Sequence, residues 1–363
     1  MLSTILLFIV VLAVLVLAHE FGHFIMAKKA GMAVEEFGFG FPPRLWGWRR
    51  GVTTYSVNLI PLGGFVKIKG ESGLWRDHSD SFAAKSGAWR FAVLAAGVVM
   101  NLVLAAILLT AGFTMGLPSM IDENISPSAT VREAELRIVT VAPGSPAERA
   151  GIKGGDALVS VDGQAFADAD DARAYIALHG DDEVMMVMGR EDGTFYNVTA
   201  KSEDIASVGV HGIGVGIVKT GLVSYPLHLA FVHGVLATGE YTKEVVGAFV
   251  GLVRNLIVEQ RAGVDLSGPV GIAVLTGEAA SLGFVHLLQF TALLSINLAV
   301  VNVLPLPALD GGRLALLLIE KARGRSLDGR SEAILHNIGF ALLMTLVVFI
   351  TYKDVVRMIG QGF

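Results

Sequence analysis

His19 and His23 flank Glu20 in the stretch His19-Glu20-Phe21-Gly22-His23, at the inner end of an apolar run that begins at Leu2. On a helix the two imidazoles stand one turn apart on a common face, so both can reach one ion, with Glu20 beside them. That spacing suits a zinc-dependent hydrolysis. Zinc lowers the pKa of a bound water towards about 7, and a neighbouring carboxylate can take the proton as the water attacks a carbonyl. Glu20 is therefore the expected general base. A chain of this length holds H-E-x-x-H by accident about once in a hundred cases, the competing reading being two packing histidines on a soluble helix. The apolar run that precedes the motif weighs against that reading, because ionisable groups at membrane depth are costly and usually functional.

A catalytic zinc usually takes three protein ligands and keeps one position open. The chain has no cysteine, so the third ligand must be His, Asp or Glu, and disulfides are excluded. The candidate is Asp310, in Asn302-Val-Leu-Pro-Leu-Pro-Ala-Leu-Asp-Gly-Gly312, where Pro305 and Pro307 should end an apolar helix and leave extended chain. Non-helical backbone at that depth is tolerated only when it is buried in protein or lines a wet cavity. Asn297 and Asn302 offer amides that could bond a substrate backbone, with helix-to-helix hydrogen bonding the competing reading for Asn297. His228, His233 and His286 have no partners at ligand spacing and read as interfacial or packing residues.

The elements that must position these groups are mostly membrane spans. Of the 363 residues 53% are hydrophobic and 17% charged, and the mean hydropathy is +0.61, well to the apolar side of soluble domains. Segments 2–28, 88–117, 282–303 and 334–352 are each long enough to cross a hydrocarbon core of roughly 30 Å. The first lacks a basic n-region and a small-x-small cleavage site, so it reads as a retained span rather than a signal peptide. The first loop is rich in Lys and Arg, among them Lys28, Lys29, Arg44, Arg49 and Arg50. By the positive-inside rule it is cytoplasmic. The third loop, with Arg313, Lys321, Arg323, Arg325 and Arg330, falls on the same side, and both termini and the long middle region fall outside. The ends of spans one and three then share a face, so His19, His23 and Asp310 can converge. Net charge is −5 and no basic stripe interleaves with aromatics, so nucleic acid is not an expected partner.

Two further elements are legible. Thr54–Ile60 and Phe65–Lys69 flank Pro61-Leu62-Gly63-Gly64 as an expected β-hairpin, residues 54–69, to which an extended substrate could add as a further strand. Gly63, Gly64, Phe65 and Val66 are its expected contacts. Residues 130–202 lose the membrane character and alternate apolar side chains around turns. Residues 222–262 are helical in pattern but hold Glu240, Lys243, Glu244 and Arg254, which fits an interfacial amphipathic helix better than a span; a fifth span is the alternative.

The run from Leu136 to Gly163, with Gly151-Ile152, Gly155-Asp156 and the Val161-Asp162-Gly163 turn, resembles a PDZ domain. H-E-x-x-H in the first span, this insertion and N-x-x-P-x-P-x-L-D-G-G after the third together resemble the bacterial site-2 proteases, closest to the regulator-of-sigma-E protease group. Pro61-Leu-Gly-Gly-Phe-Val-Lys67 and Ser267-Gly-Pro-Val-Gly-Ile272 belong to the same likeness. The resemblance implies a polytopic α-helical protein of the bacterial inner membrane, with four spans, a membrane-associated β-hairpin and an extracytoplasmic PDZ-like α+β insertion. It implies Zn2+ as cofactor. It also implies single-span membrane substrates such as anti-sigma factors, cut within the bilayer after a first protease has trimmed them. One departure stands out, a single PDZ-like domain where the best-known members carry two. Rival readings are a non-catalytic PDZ-bearing adaptor and a transporter, the latter lacking obvious inverted repeats.

Overall fold

The computed structural model describes residues 2–71, 73, 75–122, 125–179, 182–190, 193–205, 210–258, 267–324 and 329–360. They divide into two units, one of Met1–Ala111 with Phe231–Phe363 and one of Gly112–Ala230. In the first unit, helix α1 spans Leu2–Lys29, a Leu-, Val- and Ile-rich run that continues through the His19–His23 motif and ends at two lysines, shortly before the left-handed Gly31, φ +66°. Strands β1 (Val34–Arg50) and β2 (Thr53–Ile68) follow, reversing at Gly51 and Val52. Lys28 Nζ donates to Thr53 Oγ1 at 2.8 Å, and Thr53 Oγ1 donates to the Val34 carbonyl at 2.8 Å. The sheet is thereby moored to the C-terminal end of α1.

The expected hairpin within 54–69 does not form. All of them but Lys69 lie in the one strand β2, and both of its halves flank β1: Phe37 pairs with Val66 on one side and with Tyr55 on the other. Tyr55 also pairs with Trp48. Pro61-Leu62-Gly63-Gly64 is thus a bend in a long strand, because β1, with Pro42 and Pro43 inside it, supplies the partner that the sequence reading lacked. Helix α2, Gly87–Met115, closes this half. Ala27 of α1, Val34 and Ile68 of the sheet and Val93 and Leu94 of α2 share a buried cluster with Phe82 and with Leu317 from much later in the chain.

The second unit holds β3 (Leu117–Met120), β4 (Thr130–Val141), α3 (Pro146–Arg149), β5 (Ala157–Val161), α4 (Ala169–His179), β6 (Glu183–Gly189), β7 (Phe195–Lys201), β8 (Glu203–Ile205), β9 (Val210–Gly212) and β10 (Val215–Ser224). Six strands form one sheet in the order β3-β10-β4-β5-β6-β7. Leu136, Ile138, Ile152, Leu158, Val161, Met186, Met188 and Ile217 fill its core. The expected end at residue 202 is therefore too early. The chain returns from residue 210 to place β10 between β3 and β4, a pairing across about 80 residues that no local pattern announces.

Helix α5 runs Leu227–Val258, and the last residues of the expected 222–262 segment lie outside the described residues, as does Arg325. Next come α6 (Pro269–Ser281), α7 (Phe284–Val303), α8 (Asp310–Arg323) and α9 (Gly329–Gly360). The third expected span begins two residues late, since Gly283 at φ +123° separates α6 from α7. Among the described residues four helices are long and apolar enough to cross a membrane: Leu2–Lys29, Gly87–Met115, Phe284–Val303 and Ile334–Ile359. Helix α5, with its four charged residues, is not one of them.

Candidate metal centre

His19 and His23 lie on α1 and are buried. Asp310 is the first residue of α8, where the exposed N–H groups of a helix start favour a carboxylate. The chain reaches it through a turn after Val303, and α8 begins so close to that turn that residues 311 and 312 cannot carry side chains. A Cβ on Gly311 would lie 2.2 Å from the Val303 and Leu304 carbonyl oxygens, and one on Gly312 would lie 2.2 Å from that of Leu306. The Asp-Gly-Gly sequence is thus a packing requirement for bringing the carboxylate back to α1.

The three donor atoms converge. Asp310 Oδ2 is 3.0 Å from His19 Nε2 and 3.2 Å from His23 Nε2, and the two nitrogens are 3.2 Å apart. Donors around a tetrahedral zinc with bonds of about 2.0 Å stand about 3.3 Å from one another. Among the described residues this is the only group of three His, Asp or Glu residues close enough to hold an ion. Asp310 Oδ2 is buried and has no well-oriented hydrogen bond in spite of its two imidazole neighbours, and a shared cation would satisfy it. The donor set and its spacing fit zinc.

Helix α2 presents the imidazoles through one stripe of residues four apart. The Val93 carbonyl accepts from His23 Nδ1 at 2.7 Å. Gly97 leaves the room both rings occupy: a Cβ there would lie 2.4 Å from His23 Nε2 and 2.7 Å from His19 Cε1. Asn101, fully buried, brings its amide Nδ2 to 3.2 Å from His19 Nδ1, and its backbone carbonyl accepts from Ser295 Oγ of α7 at 2.8 Å. Sequence reasoning missed all three. Gly97 and Asn101 left a signal, a small residue and an amide four apart in an apolar helix; a carbonyl leaves none.

A cavity of about 200 Å³ opens on the triad and is lined also by Glu20, Phe65 and Val66. Gly64 lies behind Glu20, since a Cβ on it would meet Glu20 Cγ at 3.5 Å. Gly63 instead packs near the Phe41 ring, 3.1 Å from where its Cβ would stand. The two asparagines depart from expectation: neither lines this cavity. Asn297 is exposed and donates to the Leu293 carbonyl of its own helix at 2.9 Å, and Asn302 is buried. On the cavity wall stand three polar residues that the sequence reading did not expect at the site, Glu71, Arg313 and His336. Arg313 pairs with Glu71, and its Nε donates to His336 Nε2 at 3.3 Å.

The sequence profile of peptidase family M50 matches residues 7–346. A chain of Clostridium acetobutylicum, provisionally named a zinc metalloprotease, is 33% identical over 350 residues, covering 96% of each chain. Zinc metalloprotease RasP of Geobacillus kaustophilus is 30% identical over 436 residues, 98% of each chain. The regulator of sigma-W protease RasP of Bacillus subtilis is 28% identical over 441 residues, 98% of this chain and 99% of that one. Among solved structures, the PDZ domain of an SdrC-like protein from Listeria monocytogenes covers 24% of this chain and 92% of its own at 22% identity. Its TM-score of 0.22 is too slight a likeness to assign a fold.

Proposed function

Because the chain belongs to peptidase family M50, we propose that His19, His23 and Asp310 hold its catalytic zinc and that Glu20 is its general base. The chain is a membrane protein and a zinc metalloendopeptidase of the site-2 type. The observation that carries the residue assignment is one cavity in which three mutually close donors meet Glu20, the residue next to His19 on the same apolar helix.

Bound zinc supplies Lewis acidity, polarising a peptide carbonyl and making water acidic enough to lose a proton near neutral pH. Glu20 takes that proton during attack and returns it to the leaving amine. Phe65 and Val66 present the substrate. A peptide bond inside a transmembrane helix is already hydrogen-bonded, so it must unwind before it can be cut, and its freed amides need partners. Residues 64–68 pair only with β1 among the described residues, which leaves one edge of that segment for an extended peptide to join. Gly63 and Gly64 keep the bend narrow.

The substrates are single-span membrane regulators of the anti-sigma-factor kind, a reading supported by the sigma-W regulator among the relatives, and they arrive after a first cut. The protein sits in the bacterial inner membrane with the centre towards the cytoplasm and both termini outside. The unit Gly112–Ala230, read as PDZ-like, selects substrates without touching the scissile bond. Asn302, which is buried, acts in helix packing, and Asn297, which is exposed, bonds its own helix.

Metal analysis of purified protein together with cleavage of a single-span reporter tests the assignment. Wild type should hold one zinc and cut; Glu20→Gln should hold zinc without cutting. Full cleavage by Glu20→Gln would overturn the mechanism.

A further inference from the structure

Two helices besides α1 build the metal centre. Helix α2 seats the imidazoles through Val93, Gly97 and Asn101, and α8 carries Asp310. The turn after Val303 ties Asp310 to α7, and Arg313, three residues on, pairs with Glu71. Neither tie reaches α2. Apolar packing does, since Leu317 of α8 joins Val93 and Leu94 of α2 in one buried cluster. One turn beyond Leu317 the two helices line a cavity of about 670 Å³, whose walls include Gly87 and Phe91 of α2 and Leu318 and Lys321 of α8. Close packing therefore does not fix their separation there. At that gap Arg90 Nη1 donates to Glu320 Oε2 at 3.1 Å. Arg90 continues, towards the start of α2, the stripe of Val93, Gly97 and Asn101. The pair is sheltered, its side chains 24% and 11% exposed, and the guanidinium lies over the Phe82 ring, 5.3 Å from its centroid. Such a pair is held in one geometry, unlike the loose ion pairs of an open surface.

We propose that Arg90 and Glu320 are positioning residues for the metal centre: by fixing the separation of α2 and α8 beyond Leu317, they keep Asp310 within reach of the two histidines. That role presupposes the metal at His19, His23 and Asp310. Asp310 and Glu320 stand on opposite sides of Leu317 along α8, about 10 Å and 4.5 Å from it at a rise of about 1.5 Å per residue. Leu317 is then a pivot and the ion pair a stop. A tilt of about 10° about the pivot would swing Asp310 by about 2 Å, some ten times the roughly 0.2 Å that a metal bond tolerates. Arg90 and Glu320 touch neither metal nor substrate and act only through the placement of Asp310.

Two readouts on the full-length protein in detergent test this, with Glu320→Leu and with the exchanged pair Arg90→Glu, Glu320→Arg. One is zinc affinity, measured in zinc buffers against a competing chelator. The other needs no metal. The chain has no cysteine, so spin labels on Val99→Cys of α2 and Ile319→Cys of α8, both exposed, report the distance between the two helices. Glu320→Leu keeps the bulk and removes the acceptor, so zinc affinity should fall about 10-fold and the distance distribution should broaden. The exchanged pair restores an ion pair at the same place and should recover both. Wild-type affinity and an unbroadened distribution in Glu320→Leu would overturn the proposal even if that protein melts lower, because the pair would then only stabilise. An exchanged protein that melts like wild type yet binds zinc as weakly as Glu320→Leu would overturn it too. If the exchanged protein does not fold, Glu320→Leu decides; if Glu320→Leu does not, the exchanged protein does. Wild type that binds no zinc would sink the metal assignment itself, a result distinct from any change in the metal-free distances.

Discussion

Both imidazoles occupy a gap in α2 one methyl group wide. Gly97→Ala would fill it, with its Cβ 2.4 Å from His23 Nε2, far inside van der Waals contact. The expected outcome is a zinc affinity at least tenfold lower, read by chelator competition, together with a destabilisation of about 1–3 kcal/mol from overpacking. Glu20→Gln acts differently. Loss of general base catalysis should lower reporter cleavage about 10²- to 10⁴-fold, while zinc content measured by atomic absorption stays at one per chain. The sequence exposed the groups that do chemistry because their types and spacing are unusual: two His and a Glu after an apolar run, and Asp310 after two prolines. It hid what holds them. Val93 contributes a carbonyl that every residue has, and Asn101 looks like any amide in an apolar helix until His19 is seen beside it.

At the scale of the element, α8 matters most, because its first residue must arrive at α1 after a tight turn. Gly312→Ala would push a Cβ to within 2.2 Å of the Leu306 carbonyl oxygen. The backbone has to shift, so zinc affinity and melting temperature should both fall, whereas Gly324→Ala, with nothing within 4 Å of its Cβ position, should leave zinc affinity unchanged and cost only the strain of its left-handed φ of +66°. Helices were easier to read than strands. Four long apolar stretches announce α1, α2, α7 and α9, but Phe37 has two strand partners, Tyr55 and Val66, and neither pairing has a signature in local alternation. The prolines at 42 and 43 further disguised β1, since proline usually argues against a strand.

For the whole molecule, the structure changes where the soluble unit ends. Removing residues 130–202 would take away β4 to β7 but leave β8, β9 and the first half of β10, residues 215–219, without the sheet they belong to. A cleaner cut joins Met120 to Thr220, which pair across β3 and β10, and replaces 121–219 with a short turn. If the unit selects substrates, that protein should cleave a reporter that retains its extracytoplasmic domain, while wild type cuts only the trimmed form; identical preferences would count against selection. Composition revealed the division between membrane and soluble parts, since it averages over many residues. The return of β10 to the sheet stayed hidden because it is long-range.

One feature of the centre bears on how the protein is made. His19 and His23 leave the ribosome before Asp310, which follows after about 290 further residues, roughly 15–60 s later at about 5–20 residues per second. A nascent or prematurely terminated chain therefore carries the histidines without their carboxylate partner. If the three residues hold the metal as proposed, the site can be completed only after Asp310 has been made and α8 has folded back to α1, so a chain cut short before Asp310 should bind zinc more weakly than the full-length protein.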